Sequence, residues 1–140
     1  MQVEEIAREI QPGGKVILRD PTCSFTYERP RPGKLIVTVN GSDQGQFGTS
    51  TIDEILLAIK REGPIELFVD ARQARSISVH VSEDWTRFFT LNRSMLRRVH
   101  VLVASEFIHL TISIAKHLSG TGDLIRIHTR VEDLAAAIER

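Results

Sequence analysis

At 140 residues, 41% of them hydrophobic and 26% charged, the chain has the size and balance of one globular domain with its own core. Eighteen basic against eighteen acidic residues leave no net charge, which argues against a general attraction to nucleic acid or anionic lipid. The single cysteine excludes an internal disulfide framework and a cysteine-rich zinc site, and no apolar run reaches the roughly 18 residues of a membrane span.

The opening residues, Met1-Gln2-Val3-Glu4-Glu5, are acidic and carry no apolar signal core, so a cytoplasmic location is expected. Val3, Ile6, Ala7 and Ile10 have helical spacing over a short stretch, which predicts a docked helix or a loose arm. Turn residues then crowd the first third: Pro12-Gly13-Gly14, Asp20-Pro21, Pro30-Arg31-Pro32-Gly33 and Asn40-Gly41. Between them the β-rich runs 15–19, 23–28 and 34–40 read as strands, antiparallel because the turns are short.

After Gly48 helices and strands alternate. Thr51-x-x-Glu54 reads as a capping box, followed by the stripe Ile52, Ile55, Leu56 and Ile59 and stopped by Gly63-Pro64. Residues 65–70 form the next strand. Ser82 is the expected cap of a second helix, with Trp85, Phe88, Phe89, Met95 and Leu96 facing inward. Residues 99–104 are a strand, and Ser105 caps a third helix with Phe107, Leu110, Ile114 and Leu118 on one side and Gly120 past its end. Residues 124–128 are the last strand, and Thr129-x-x-Glu132 opens a final helix bearing Val131, Leu134 and Ile138.

Strands separated by helices of this length lie parallel through right-handed crossovers. The expected fold is therefore α/β: a mixed, mostly parallel sheet of roughly four to six strands with an N-terminal antiparallel edge and four helices. The pattern leaves open how many sheet faces the helices cover.

The order of elements resembles the STAS domain, the fold of bacterial anti-sigma factor antagonists, and more narrowly its STAS-like, sporulation-antagonist-like branch. The resemblance spans residues 23–140, with residues 1–22 as an N-terminal arm or extra strand. It rests on the hairpin before the first helix, the strand ending in Val69-Asp70, and Glu83-Asp84-Trp85-Thr86-Arg87-Phe88-Phe89 followed by Leu96-Arg97-Arg98-Val99-His100-Val101-Leu102-Val103. The resemblance implies a non-catalytic bacterial regulatory module that docks a partner protein or itself. In phosphorylated members a serine at the start of the second main helix, usually after an aspartate, is the switch. This chain departs from that pattern: no Asp-Ser pair follows Asp70. Ser78 is the nearest equivalent by spacing and Ser82 by expected helix position, which puts phosphoregulation in doubt. The branch is also associated with small apolar or lipid-like ligands.

The candidate binding residues are Asp70, Arg72, Arg75, Ser78, Ser82 and Trp85. Residues 71–82 read as a loop at the carboxyl end of a parallel strand, running into a helix N-terminus, where open α/β sheets place ligands and anions. Arg72 and Arg75 offer planar donor forks for a carboxylate or phosphate; the alternative is that they are solvated loop charges and Ser82 only a cap. Asp70 either carries chemistry, with His80 as partner in an enzymatic reading, or accepts amides from the turn after it. Trp85, Phe88 and Phe89 serve the core, or in part line a pocket against the third helix. That helix is apolar around more than one face, so Phe107, Ile108, Ile112 and Ile114 are the expected homodimer or partner interface, with a lipid-like ligand beneath as the alternative.

No catalytic residue, metal site or cofactor is assigned. Gly41, Gly45 and Gly48 lack the spacing of a phosphate-binding loop. The histidines make no helical zinc pair, and His109 and His117 stand two turns apart. His100 and His128 form a cross-strand pair if their strands are neighbours. Cys23 reads as a buried thiol. The basic residues Arg87, Arg93, Arg97 and Arg98 do not amount to a nucleic-acid surface on a neutral chain.

Overall fold

A computed structural model describes residues 6–140. Among the described residues seven strands form one sheet in chain order: β1 (Ala7–Ile10), β2 (Val16–Arg19), β3 (Cys23–Glu28), β4 (Lys34–Asp43), β5 (Ile65–Ile77), β6 (Leu96–Leu102) and β7 (Ile125–His128). The first four pair antiparallel, and the pairs β4–β5, β5–β6 and β6–β7 are parallel. The helices are α1 (Ser50–Glu62), α2 (Val79–Leu91), α3 (Glu106–Leu118) and α4 (Val131–Glu139). Among the described residues no helix is long and apolar enough to cross a membrane.

The unbroken strand order decides which face each helix takes. Right-handed crossovers that always step the same way put every connecting helix on one side. Residues of α1, α2 and α3 accordingly share one large core with Phe25, Val37, Leu67 and Val99 of the sheet. Only α4, after the last strand, falls on the other face, where Leu134 and Ala137 meet Phe68 and Leu102. The central strand β5 is thus covered on both sides, and its neighbours Leu67 and Phe68 are both fully buried.

Several sequence expectations are corrected. Ala7 and Ile10 lie on an edge strand, not a helix: pairing with Val16–Arg19 outweighs a short helical pattern, and the sheet has seven strands as a result. Val3 lies outside the described residues. The stretch 71–82 is mostly not a loop, because β5 continues to Ile77 alongside an equally extended β4. Ser78, not Ser82, caps α2, accepting a hydrogen bond from the Val81 amide at 3.2 Å. Met95 lies in a short 3₁₀ turn and Leu96 on β6, so neither belongs to α2. Neither capping box forms. Thr51 is buried inside α1, whose N-cap is Thr49, and α4 starts after Arg130 without a side-chain cap.

The pairing of β4 with β5 shifts register after Thr38 and again after Gly41. Gly41 sits at φ +99°, and a β-carbon there would come within 2.1 Å of the Thr22 carbonyl oxygen. Both the left-handed conformation and the close approach of β3 require glycine. Gly41→Ala is expected to cost about 2 kcal/mol or more, read as a lower urea midpoint.

Candidate functional site

The face of the sheet covered by α1, α2 and α3 contains a cavity of about 90 Å³ between β4, β5, α2 and α3. Its origin is side-chain size. Ala71 and Ala74 on β5 are too short to fill the space beneath Trp85 of α2 and Ile112 of α3. The walls are apolar, with Asp43, Ser82 and Thr111 as polar exceptions.

Asp43 is the last residue of β4 and shares the inward face with Leu35, Val37 and Val39. It is only 4% exposed. Its Oδ1 accepts a hydrogen bond from the Gly45 amide at 3.0 Å, and its carbonyl accepts one from the Ser78 amide, also at 3.0 Å. Burial pushes its pKa above the usual carboxylate range; the Gly45 amide opposes this, and the nearby Asp20 and Asp84 charges add to it. Sequence reasoning missed this residue by ending the strand at Asn40-Gly41. The alternation Leu35, Val37, Val39 carried four residues further would have found it.

The residues expected to form one site are divided between the two faces of the sheet. Ser82 and Trp85 line the cavity. Asp70 and Arg72 alternate with the cavity-lining Val69 and Ala71, so they point to the opposite face. There Arg72 donates to Asp70 at 2.7 and 3.0 Å, and these bonds hold the Asp70 carboxyl below its ordinary range. Asp70 also accepts the Arg72 amide at 3.2 Å, as the structural reading of this residue anticipated, but within a strand. Arg75 is exposed, so no anion clamp of Arg72 with Arg75 forms over the cavity. His80 is exposed and pairs with Asp84 at 3.9 Å rather than with Asp70, so the enzymatic dyad is not assembled.

His100 and His128 do meet, on the α4 face. His100 Nε2 lies 2.9 Å from Glu66 and its Nδ1 3.0 Å from His128 Nε2. A carboxylate accepts, so His100 donates through Nε2 and receives the His128 Nε2–H at Nδ1. Lys34 approaches Glu66 at 3.7 Å, and the Phe68 ring stacks on His100 at 4.9 Å. Burial lowers both histidines below 6.5, against the pull of Glu66 on His100 and of Asp133 on His128. The unfolded chain therefore binds protons at higher pH than the folded one, and stability is present above about pH 6.5 and lost as pH falls. The urea midpoint should drop between about pH 7 and pH 5, and His128→Gln should make that drop smaller.

Helix α3 also departs from expectation. Phe107, Leu110, Ile114 and Leu118, read as one side of the helix, form an outward ridge, with Leu110 61% and Leu118 70% exposed. Of the expected interface residues, Phe107 and Ile114 are on that ridge. Ile108 is fully buried in the core, and Ile112 lines the cavity. The sequence showed an apolar helix but not which stripe faced the sheet.

No protein-family model and no curated protein matches this chain. Solved structures do. A crystal structure of a DUF3478-family protein from Shewanella loihica PV-4, described as having a SpoIIAA-like fold, superposes with a TM-score of 0.58 at 14% identity, over 82% of this chain and 92% of that one. An anti-sigma factor antagonist from Mycobacterium paratuberculosis gives 0.57 at 12% identity, over 94% of this chain and all of the other.

The chain has a STAS-like fold.

Within that STAS-like fold, Ser78 is the serine at the N-terminus of α2. Its hydroxyl is engaged as the helix cap. Ser82 lies one turn further on, half-buried on the cavity wall.

Proposed function

We propose that this chain is a cytoplasmic, non-catalytic regulatory module that acts by docking a protein, in the simplest case a second copy of itself, through the outer face of α3. In this reading residues 23–140 are the STAS-like domain, and β1 and β2 are an addition that widens the sheet. The observation that carries the reading is the ridge Phe107, Leu110, Ile114 and Leu118, four large apolar side chains in one helical stripe in water. The fold shared with an anti-sigma factor antagonist supports a regulatory role. Light scattering should give a mass above the monomer, and the double variant Leu110→Asp/Ile114→Asp should return it to monomer with an unchanged circular-dichroism spectrum. Equal masses for the two proteins would overturn self-association as the mode of docking.

A second reading is favoured by the cavity: the domain binds a small apolar molecule between α2, α3 and the sheet. The two readings share α3, whose inner side, Ile112 and Ala115, roofs the cavity while its outer side carries the ridge.

A further inference from the structure

The cavity has an acidic anchor. Among the described residues every fully buried side-chain nitrogen or oxygen has a hydrogen-bond partner. Oδ1 of Asp43 is held by the Gly45 amide, whereas Oδ2 accepts no bond from the described residues. Oδ2 is therefore not fully enclosed, and Asp43 is one of the three polar residues on the cavity wall. A carboxylate this deeply buried is costly unless something completes its hydrogen bonding.

The surroundings select the sign of that partner. Asp20 and Asp84 are the charges felt most at Asp43, and both are acidic. Neither Arg72 nor Arg75 lines the cavity. A carboxylate or phosphate head would meet repulsion there. Trp85 lines the same cavity, and an indole ring attracts cations rather than anions.

We propose that the cavity binds a small apolar molecule bearing a protonated amine, its ammonium group donating to Oδ2 of Asp43 and its hydrocarbon part lying against Ala71, Ala74 and Ile112. This rests on the ligand-binding reading above and specifies the chemistry of the ligand. Ser82, on the same wall, supplies a second polar contact.

Trp85 is the only tryptophan and lines the cavity, so its fluorescence reports occupancy directly. The full chain is titrated near neutral pH with n-hexylamine, 1-hexanol and hexanoate, three probes of one chain length and different heads. Hexylamine should bind about tenfold or more tightly than hexanoate, the worth of a charge-assisted hydrogen bond. Asp43→Asn keeps an acceptor for Gly45 and removes the charge. It should cost hexylamine about tenfold in affinity while leaving hexanol within about twofold. Hexanoate binding as tightly as hexylamine, or an Asp43→Asn protein with undiminished hexylamine affinity, overturns the amine assignment while leaving an apolar site in place. The wild-type comparison stands even if the variant fails to fold. If none of the three probes perturbs Trp85, the ligand-binding reading fails and the amine assignment with it.

Discussion

Ile108→Ala is expected to lower the unfolding free energy by about 2–5 kcal/mol, while Leu110→Ala, two residues along the same helix, stays within about 0.5 kcal/mol of wild type. Ile108 is fully enclosed between α3 and the sheet, so truncation removes buried methyl groups and leaves a void in the core. Leu110 is 61% exposed, so its side chain gains little from folding. Urea denaturation of the two variants measures the difference. A similar loss for both would mean that α3 is rotated about its axis, with Leu110 turned toward the sheet. The contrast also protects the test of self-association, because ridge variants can abolish docking without unfolding the domain.

Phe68→Ala should be among the most damaging single changes, with a loss of about 3–5 kcal/mol. Phe68 is fully buried at the centre of the small core under α4, touching the group formed by Leu102, Leu134 and Ala137. It also stacks on His100 and lies 5.4 Å from the Lys34 ammonium. Lys34 in turn donates to the Ala137 and Ile138 carbonyls at the end of α4. Removing the ring therefore loosens a whole helix as well as one contact. Hydrogen exchange should show the amides of α4 losing protection while those of α1 keep theirs, since α1 packs on the opposite face. Uniform loss across both helices would indicate that the two faces of the sheet do not behave as separable layers.

The α/β class is legible in the sequence where local periodicity is strong. The strand Cys23–Glu28 alternates buried and half-buried residues without interruption, and Gly63 with its positive φ ends α1 where the Gly-Pro pair foretold. The candidate site was less legible. A strand that runs on through Ala71-Arg72-Gln73-Ala74-Arg75 has the composition of a loop, and only the partner strand beside it makes it a strand. That extension sends Asp70 and Arg72 to one face and Ala71 and Ala74 to the other, dividing residues that sequence placed together. Ser105 caps α3 as expected, accepting from the Ile108 amide, but two other expected caps failed for a related reason. Thr51 and Ser82 satisfy the local motif, but packing begins each helix earlier, at Thr49 and Ser78.

Composition, turn residues and apolar spacing are local properties, and they were enough to set the class of fold, the alternation after Gly48 and the absence of a disulfide framework. Which stripe of α3 meets the sheet, the burial of Asp43 beside an apolar gap, and the contact of His100 with His128 depend on residues brought together from distant parts of the chain. Burial and electrostatic environment are properties of such neighbourhoods, so the groups whose ionisation and exposure matter most here were settled only by the folded arrangement.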